Sequence, residues 1–409
     1  MKGLLFSSKI TLRKAAGLRW IPQGFFVRTG RQESGAAAKG NGMIAFLKRH
    51  GKLHLWLLVD LAVLAAFWLL RGNRQWMNAL ADHVTTPLKQ AIGRVCYRTD
   101  VSVMEVLGVL LVLAGAVYLV WSIAAVRRAA GRRADRAYSA VLGAGCIALA
   151  VYAGFCLLWG VNFWTDSFQD RSGIRAEPVA QEDLQTVTEY FAQQLTEAAD
   201  DVKRDESGLF AVPRAEILSA SPAVYDPLET EFPFLEFDDP GVKAMRFSRL
   251  LCIIDFTGFY CPWTGESNVN VDSPVCLLPS TVAHELAHQR GFASEQECNF
   301  LAVLASTTSG NAAYEYAGWL MGYIHLGNAL YRVDPDTYWE IREALPASVK
   351  ADLAYNNAYW RQFRDTVAQT VSKKVYDTSL KAYGDERGIQ SYGMVVDLLV
   401  VYFKDTAGN

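Results

Sequence analysis

Three runs of apolar residues near the start of the chain limit its fold more than any other feature. They are "LHLWLLVDLAVLAAFWLL" (Leu53–Leu70), "VLGVLLVLAGAVYLVWSIAAV" (Val106–Val126) and "YSAVLGAGCIALAVYAGFCLLWG" (Tyr138–Gly160). At about 1.5 Å per helical residue, each is long enough to cross a hydrocarbon core of about 30 Å. The second and third carry no charged residue. The expected architecture is a membrane protein, with three N-terminal transmembrane helices followed by an α-rich α+β domain. Its expected parts are a tail over 1–42, a three-helix membrane anchor over 43–162 and a folded domain over 163–409. Asp60 interrupts the first run. An acid at mid-membrane depth is costly, and it serves either a function or a polar contact with the other two helices.

The distribution of basic residues orients the spans. Lys48, Arg49 and Lys52 precede the first run, and Arg127, Arg128, Arg132, Arg133 and Arg136 fill the loop between the second and third. Cytoplasmic loops carry such an excess. Five basic residues between the first two runs weaken the contrast without reversing it. Three crossings from a cytoplasmic N-terminus place 163–409 outside the cytoplasmic membrane; a cytoplasmic C-terminal half is the alternative. Residues 1–42 hold eight basic residues and no apolar run long enough for a signal segment. "MIAFLKRHGK", from Met43, reads like a natural start. The tail is therefore expected to be disordered, or to be an over-extended start.

The lipid bilayer is thus one expected partner. A net charge of −2 argues against nucleic acid. Seven cysteines include no CxxC pair. Cys252, Cys261 and Cys276 lie close enough in sequence for one bridge, or they remain thiols. Within the domain, apolar residues at Leu184, Val187, Tyr190, Phe191 and Leu195 predict a helix over Gln181–Lys203. Ser207–Asp239 reads as loop with short strands. Leu250–Asp272 reads as strand, turn, strand.

The chemistry concentrates in "HELAHQRGFASEQECNF", His284–Phe300. Pro279 and Ser280 open a helix and Gly291 stops it. His284 and His288 stand one turn apart on one face, where two imidazoles can grip one ion. Glu285 is turned about 100° from His284 and can reach a water bound to that ion. This is the HExxH arrangement of a metal-assisted hydrolase. Val282, Ala283, Leu286 and Ala287 make the helix apolar nearly all round, so it should be buried, and buried histidines need partners. Catalytic zinc usually has three protein ligands. The candidates for the third are Glu295, Glu297 and His325. In "SEQE", Ser294 caps a new helix and Glu297 is expected to reach back to its amide. Glu295 is then free to face the metal, with Asn299 one turn on as a partner that orients a ligand. His325 reads as a surface or packing residue, and Cys298 as a small packing residue.

"HELAH" followed by such a glutamate resembles the gluzincin side of the zincin metallopeptidases. "EQECN" resembles the ExxCD element of membrane-bound sensor peptidases of antibiotic resistance, with Asn299 where they have aspartate. It also resembles the ExxAD element of membrane peptidases related to the heat-shock protease family. The metzincin pattern fails at Ser294. "WGVNFW", "PWTGESNVNVD", "HELAHQRGFASEQECNF" and "GIQSYGMVVDLL" together resemble, in that order, a bacterial membrane family known as domain of unknown function three-eight-one-zero. That resemblance runs from about residue 50 to 405. It implies three spans and a zincin-like domain, and no established substrate. Cys298 and Trp263 depart from its pattern, where alanine and phenylalanine are expected.

In zincins an edge strand beside the active helix pairs with extended substrate. "GFYCPWTGESNVNVD" is the expected counterpart, with Glu266, Asn268 and Asn270 facing substrate polar groups or forming an ordinary polar turn. Tyr392 is the candidate oxyanion donor and His325 a second one. The expected function is a membrane-anchored zinc metallopeptidase. His284, His288 and Glu295 would hold Zn, and Glu285 would be the general base. The alternatives are a membrane-anchored sensor or scaffold with a structural or vestigial metal, and a hydrolase of a non-peptide cell-envelope amide.

Overall fold

The computed structural model describes residues 45–408, apart from 239, 365, 367–368, 372, 375–376 and 379–392. The tail over 1–42 and Tyr392 lie outside the described residues. The chain divides after His54; the described part of the first unit, 45–54, is helical apart from a turn at His50. The second unit, Leu55–Asn409, holds the rest.

Helices of ten residues or more are α1 (Gly51–Leu70), α2 (Thr86–Cys96), α3 (Val103–Arg128), α4 (Arg133–Leu158), α5 (Gln181–Ala198), α6 (Leu278–Gln289), α7 (Glu295–Thr308), α8 (Ala312–Val333), α9 (Pro335–Ala344), α10 (Ala347–Arg361) and α11 (Gly393–Ala407). Three of them, α1, α3 and α4, are long and apolar enough to cross a membrane. Ser102 starts α3 by accepting a hydrogen bond from the Glu105 amide, and Arg127 and Arg128 close it. Both ends suit the helix dipole. Leu64 and Phe67 of α1 share a buried cluster with Ala153 and Cys156 of α4. Asp60, one turn before Leu64, is buried too.

The domain that follows is mostly helical, with one small sheet. Its middle is α7, where every side chain from Phe300 to Ala305 is fully buried. Burying a residue such as Phe300 contributes about 1.5–3 kcal/mol. Helix α8 crosses α5 closely at Gly322, where any Cβ would overlap the Phe191 ring. The sheet comprises β1 (Val242–Ala244), β2 (Gly258–Cys261) and β3 (Glu266–Val269), in the order β1-β3-β2. Strand β3 runs parallel to β1 and antiparallel to β2.

The strand–turn–strand expectation for 250–272 holds only for β2 and β3. Ser248–Ile253 is a short helix, because Cys252 buries while Phe247, Leu250 and Ile253, at a spacing of three, stay exposed. The stretch expected as loop with strands carries helices at Arg214–Ala220 and Asp226–Glu231, and one isolated bridge, Arg204–Phe210. Pro213 and Pro227 stand at the starts of those helices, where a missing N–H costs nothing. All seven cysteines are thiols.

Carboxylates fasten the sheet to the apolar helices. Glu266 of β3 accepts from the Val103 and Met104 amides at the start of α3, at 3.1 and 2.8 Å, and from Lys243 Nζ at 2.6 Å. In return, Glu105 of α3 accepts from the Arg246 and Phe247 amides at 2.9 and 2.8 Å. Trp263, in the β2–β3 turn, packs on Phe155 near the end of α4.

Candidate metal centre

Helix α6 carries Pro279 in its first turn, and Val282, Ala283, Leu286 and Ala287 are fully buried. That fixes the rotation of the helix and sets His284 and His288 side by side, with ring centroids 4.8 Å apart. Gly291, at φ 99°, ends the helix and turns the chain back. The Phe292 carbonyl then meets His288 Nδ1 at 2.8 Å. Three residues on, Ser294 caps α7 and Glu295 becomes its first residue. Its carboxylate stands 3.2 Å from His284 Nε2 and 3.4 Å from His288 Nε2.

These three residues form a group whose ligand atoms all lie within 4.8 Å of one another, and among the described residues it is the only such metal-compatible group. Two ligands held at about 2.0–2.1 Å around a tetrahedral ion stand about 3.3–3.4 Å apart, so the two Glu295 distances are compatible with a shared metal ion. His288 thus faces Phe292 O with Nδ1 and Glu295 with Nε2; burial would lower its pKa, but Cys298 and Glu295 outweigh burial and hold the imidazole well above its usual value. Cys298 Sγ lies 3.3 Å from both His288 Nδ1 and Phe292 O. Burial pushes its thiol up to about 11, so it stays neutral. Burial alone would also raise Glu295, but the neighbouring His288 and His284 outweigh it and hold its carboxyl well below the usual range.

Glu285 lies beside the cluster in a different environment. Burial, opposed by both histidines, pushes its pKa up to about 7. The Tyr260 main-chain N–H donates to its carboxylate, while Oε2 is buried without a partner. Gly258, next along β2, makes that position possible: any Cβ there would overlap the Glu285 carboxylate. The cluster opens into a cavity of about 570 Å³. Its walls include Trp159, whose ring lies 5.6 Å from that of His288, and His325 of α8. Burial, and then the charge of His284, pull His325 down to about 4, so it is a neutral imidazole near pH 7.

The family described as "Protein of unknown function (DUF3810)" matches residues 82–400. This chain belongs to that family. No curated protein and no solved structure matches it. The match to DUF3810 begins in the connection between α1 and α3 and takes in every residue of the cluster.

Within this DUF3810 chain the structure brings together His284, Glu285, His288 and Glu295, with Asn299 on the cavity wall. Glu297 departs from expectation. Its carboxylate does not return to the Ser294 amide but accepts from the amides of Phe168 and Gln169, at 3.1 and 3.3 Å. Those open the short helix Phe168–Ser172, and their unsatisfied N–H groups compete successfully for it. His325 is a cavity residue rather than a surface one. Cys298 is more than packing, since it touches the His288 ring nitrogen.

Glu266, Asn268 and Asn270 do not face the cavity. Pairing with β1 puts β3 at the centre of the sheet, so all three are buried: Glu266 on α3, Asn268 on the Glu266 carbonyl, Asn270 on Cys252 and the Phe256 carbonyl. The edge strand is β2. The Asn270 amide donates to Thr257 O, so the alternation of the ladder turns the main-chain groups of Gly258 and Tyr260 outward. The sequence places Gly258 and Tyr260 in the expected edge strand, Trp159 in "WGVNFW" and Cys298 within the motif itself, but gives none of them a contact with the cluster.

Proposed function

We propose that this chain is a membrane-anchored zinc-dependent peptidase of the gluzincin type, with its catalytic domain outside the cytoplasmic membrane. The observation that carries the reading is the meeting of His284, His288 and Glu295 at the wall of an open cavity, beside a buried Glu285 whose Oε2 has no partner. Three protein ligands leave one position open, which is the pattern of catalytic rather than structural zinc. When bound there, zinc would polarise a carbonyl and lower the pKa of a water. Glu285 Oε2 takes the proton of the attacking water and returns it to the leaving amine. Neutral His325 has one ring N–H to offer the developing oxyanion. The outward main-chain groups of Gly258 and the Tyr260 carbonyl suit an extended peptide added along β2, while the Tyr260 N–H stays with Glu285. This last feature favours a peptide over a non-peptide amide, for which the proton chemistry is the same.

The test is zinc content and hydrolysis of the full chain beside three variants. The parent should hold one zinc per chain, and His284→Ala and Glu295→Ala should lose it. Glu285→Gln should keep the metal and lose hydrolysis by on the order of 10²–10⁴-fold, the usual contribution of a positioned base. A parent chain that takes up no zinc when offered it sinks the reading.

A further inference from the structure

The cavity lies unusually close to the ends of the apolar helices. Phe155 and Trp159, at the end of α4, form part of its wall, and Phe163 follows just beyond. Phe155 is five residues inside the charge-free run that ends at Gly160, or about 7–8 Å below its end. Trp263 packs against Phe155 from the sheet side, the rings tilted by 33°. The β2–β3 turn therefore stands at the level where the apolar run of α4 gives out. Trp residues favour that boundary between hydrocarbon and water.

A second observation, on another helix, gives the same level. The charge-free run of α3 begins at Val106, and Glu105 just before it holds the Arg246 and Phe247 amides. The segment after Phe247 then presents large apolar side chains outward. Phe247, Leu250 and Ile253 are 48%, 59% and 36% exposed. Phe259, on the edge strand at the cavity, is 40% exposed. Between them the chain runs through Asp255 and Thr257, which are exposed cavity residues. Apolar side chains beside a cavity mouth are unfavourable in water but suited to a headgroup boundary. Both apolar runs end at this level, so a bilayer crossed by α3 and α4 would have its surface here.

We propose that Phe247, Leu250, Ile253 and Phe259 sit in the bilayer surface, and that the cavity draws its substrate from there: a polypeptide segment held at the surface by a membrane anchor of its own. The substrate half rests on the peptidase reading; the bilayer contact does not. Confinement to the same surface raises the effective concentration of such a substrate, and the exposed apolar residues guide it past Phe259 to β2.

The test uses the full chain, zinc-loaded, in phosphatidylglycerol–phosphatidylethanolamine vesicles. The probe is a fluorescence-quenched peptide pool of randomised sequence, either free or carrying a palmitoyl chain on a short spacer. The acylated pool should be cleaved at least ten-fold faster. A Leu250→Glu/Ile253→Glu double variant should lose most of that advantage and keep the rate on the free pool. Separately, a polarity-sensitive dye on Leu250→Cys should be quenched by spin-labelled lipid, and the same dye on Ser219→Cys should not. Equal rates on the two pools, or an advantage untouched by the double variant, overturn the substrate half. No quenching at position 250 overturns the bilayer contact. Cleavage of neither pool overturns the peptidase reading and with it the substrate half, and quenching at position 250 then upholds the bilayer contact alone.

Discussion

Glu285 is a carboxylate in a place that disfavours its charge, and the reason is local. It has lost water to burial, keeps one main-chain donor at Tyr260, and leaves Oε2 bare. A base that must take a proton and give it back near neutrality benefits from such a setting. What holds the carboxylate there is the missing side chain at Gly258. Gly258→Ala is therefore predicted to displace Glu285 without touching His284, His288 or Glu295. Hydrolysis should fall on the order of 10²-fold, as for a misplacement of about 1 Å, with zinc content unchanged; a variant at the parent rate would show that Glu285 does not need this contact. The prediction also marks what the sequence makes legible. His284, Glu285 and His288 could be read because one helical turn fixes their relation. Glu295 could be read because Ser294 fixes where the next helix starts. Gly258 and His325 reach the site through tertiary packing: the sequence offers His325 as a candidate without placing it at the cavity, and it gives Gly258 no role. Glu297 shows the same limit from the other side. Its local capping partner was legible, but the competing amides lie well over a hundred residues earlier in the chain.

At the scale of elements, long periodic segments were legible and short ones were not. The three apolar runs became α1, α3 and α4, and the helix predicted from Gln181 became α5. The three-residue strand β1 was invisible, and its pairing is what makes β3 central and keeps Glu266 off the cavity wall. Glu266 thereby takes on a mechanical task. It accepts two amides from the first turn of α3 and neutralises Lys243, with both side chains almost wholly buried. Removing one member of a buried pair strands the other, at about 3–5 kcal/mol. Glu266→Ala leaves Lys243 Nζ with the Cys96 and Val101 carbonyls, each at 2.9 Å, and the Tyr97 ring, but no carboxylate. Thermal unfolding of the full chain in detergent should move down by on the order of 10 °C. A Glu266→Leu/Lys243→Met double variant should recover more than half of that, because it removes both charges together. An unchanged midpoint in the single variant would mean that this pair does not couple the sheet to α3.

At the scale of the whole molecule, the two ends of the helical hairpin α3–α4 differ in kind. One end carries the sheet, with Glu105 and Glu266 bonded across it and the proposed metal centre alongside. The other, separated by 26 residues of α3 or about 39 Å, carries Arg127, Arg128, Arg132, Arg133 and Arg136, all exposed. A hydrocarbon layer of about 30 Å fits between them. Cytoplasmic loops carry an excess of basic residues, so five arginines on so short a loop favour the cytoplasmic face for that end over the scattered basic residues before α3, an orientation that is a proposal. The orientation is testable with an impermeant maleimide on intact cells, in a Cys96→Ser background because the other six cysteines are buried. A cysteine placed at Ser219 should be labelled in intact cells, and one placed at Ala130 only after permeabilisation. The reverse pattern would put the metal centre in the cytoplasm. It would leave the proposed chemistry of His284, Glu285, His288 and Glu295 untouched while excluding every substrate on the outer face, so the labelling result has to come before any search for a substrate of the proposed peptidase.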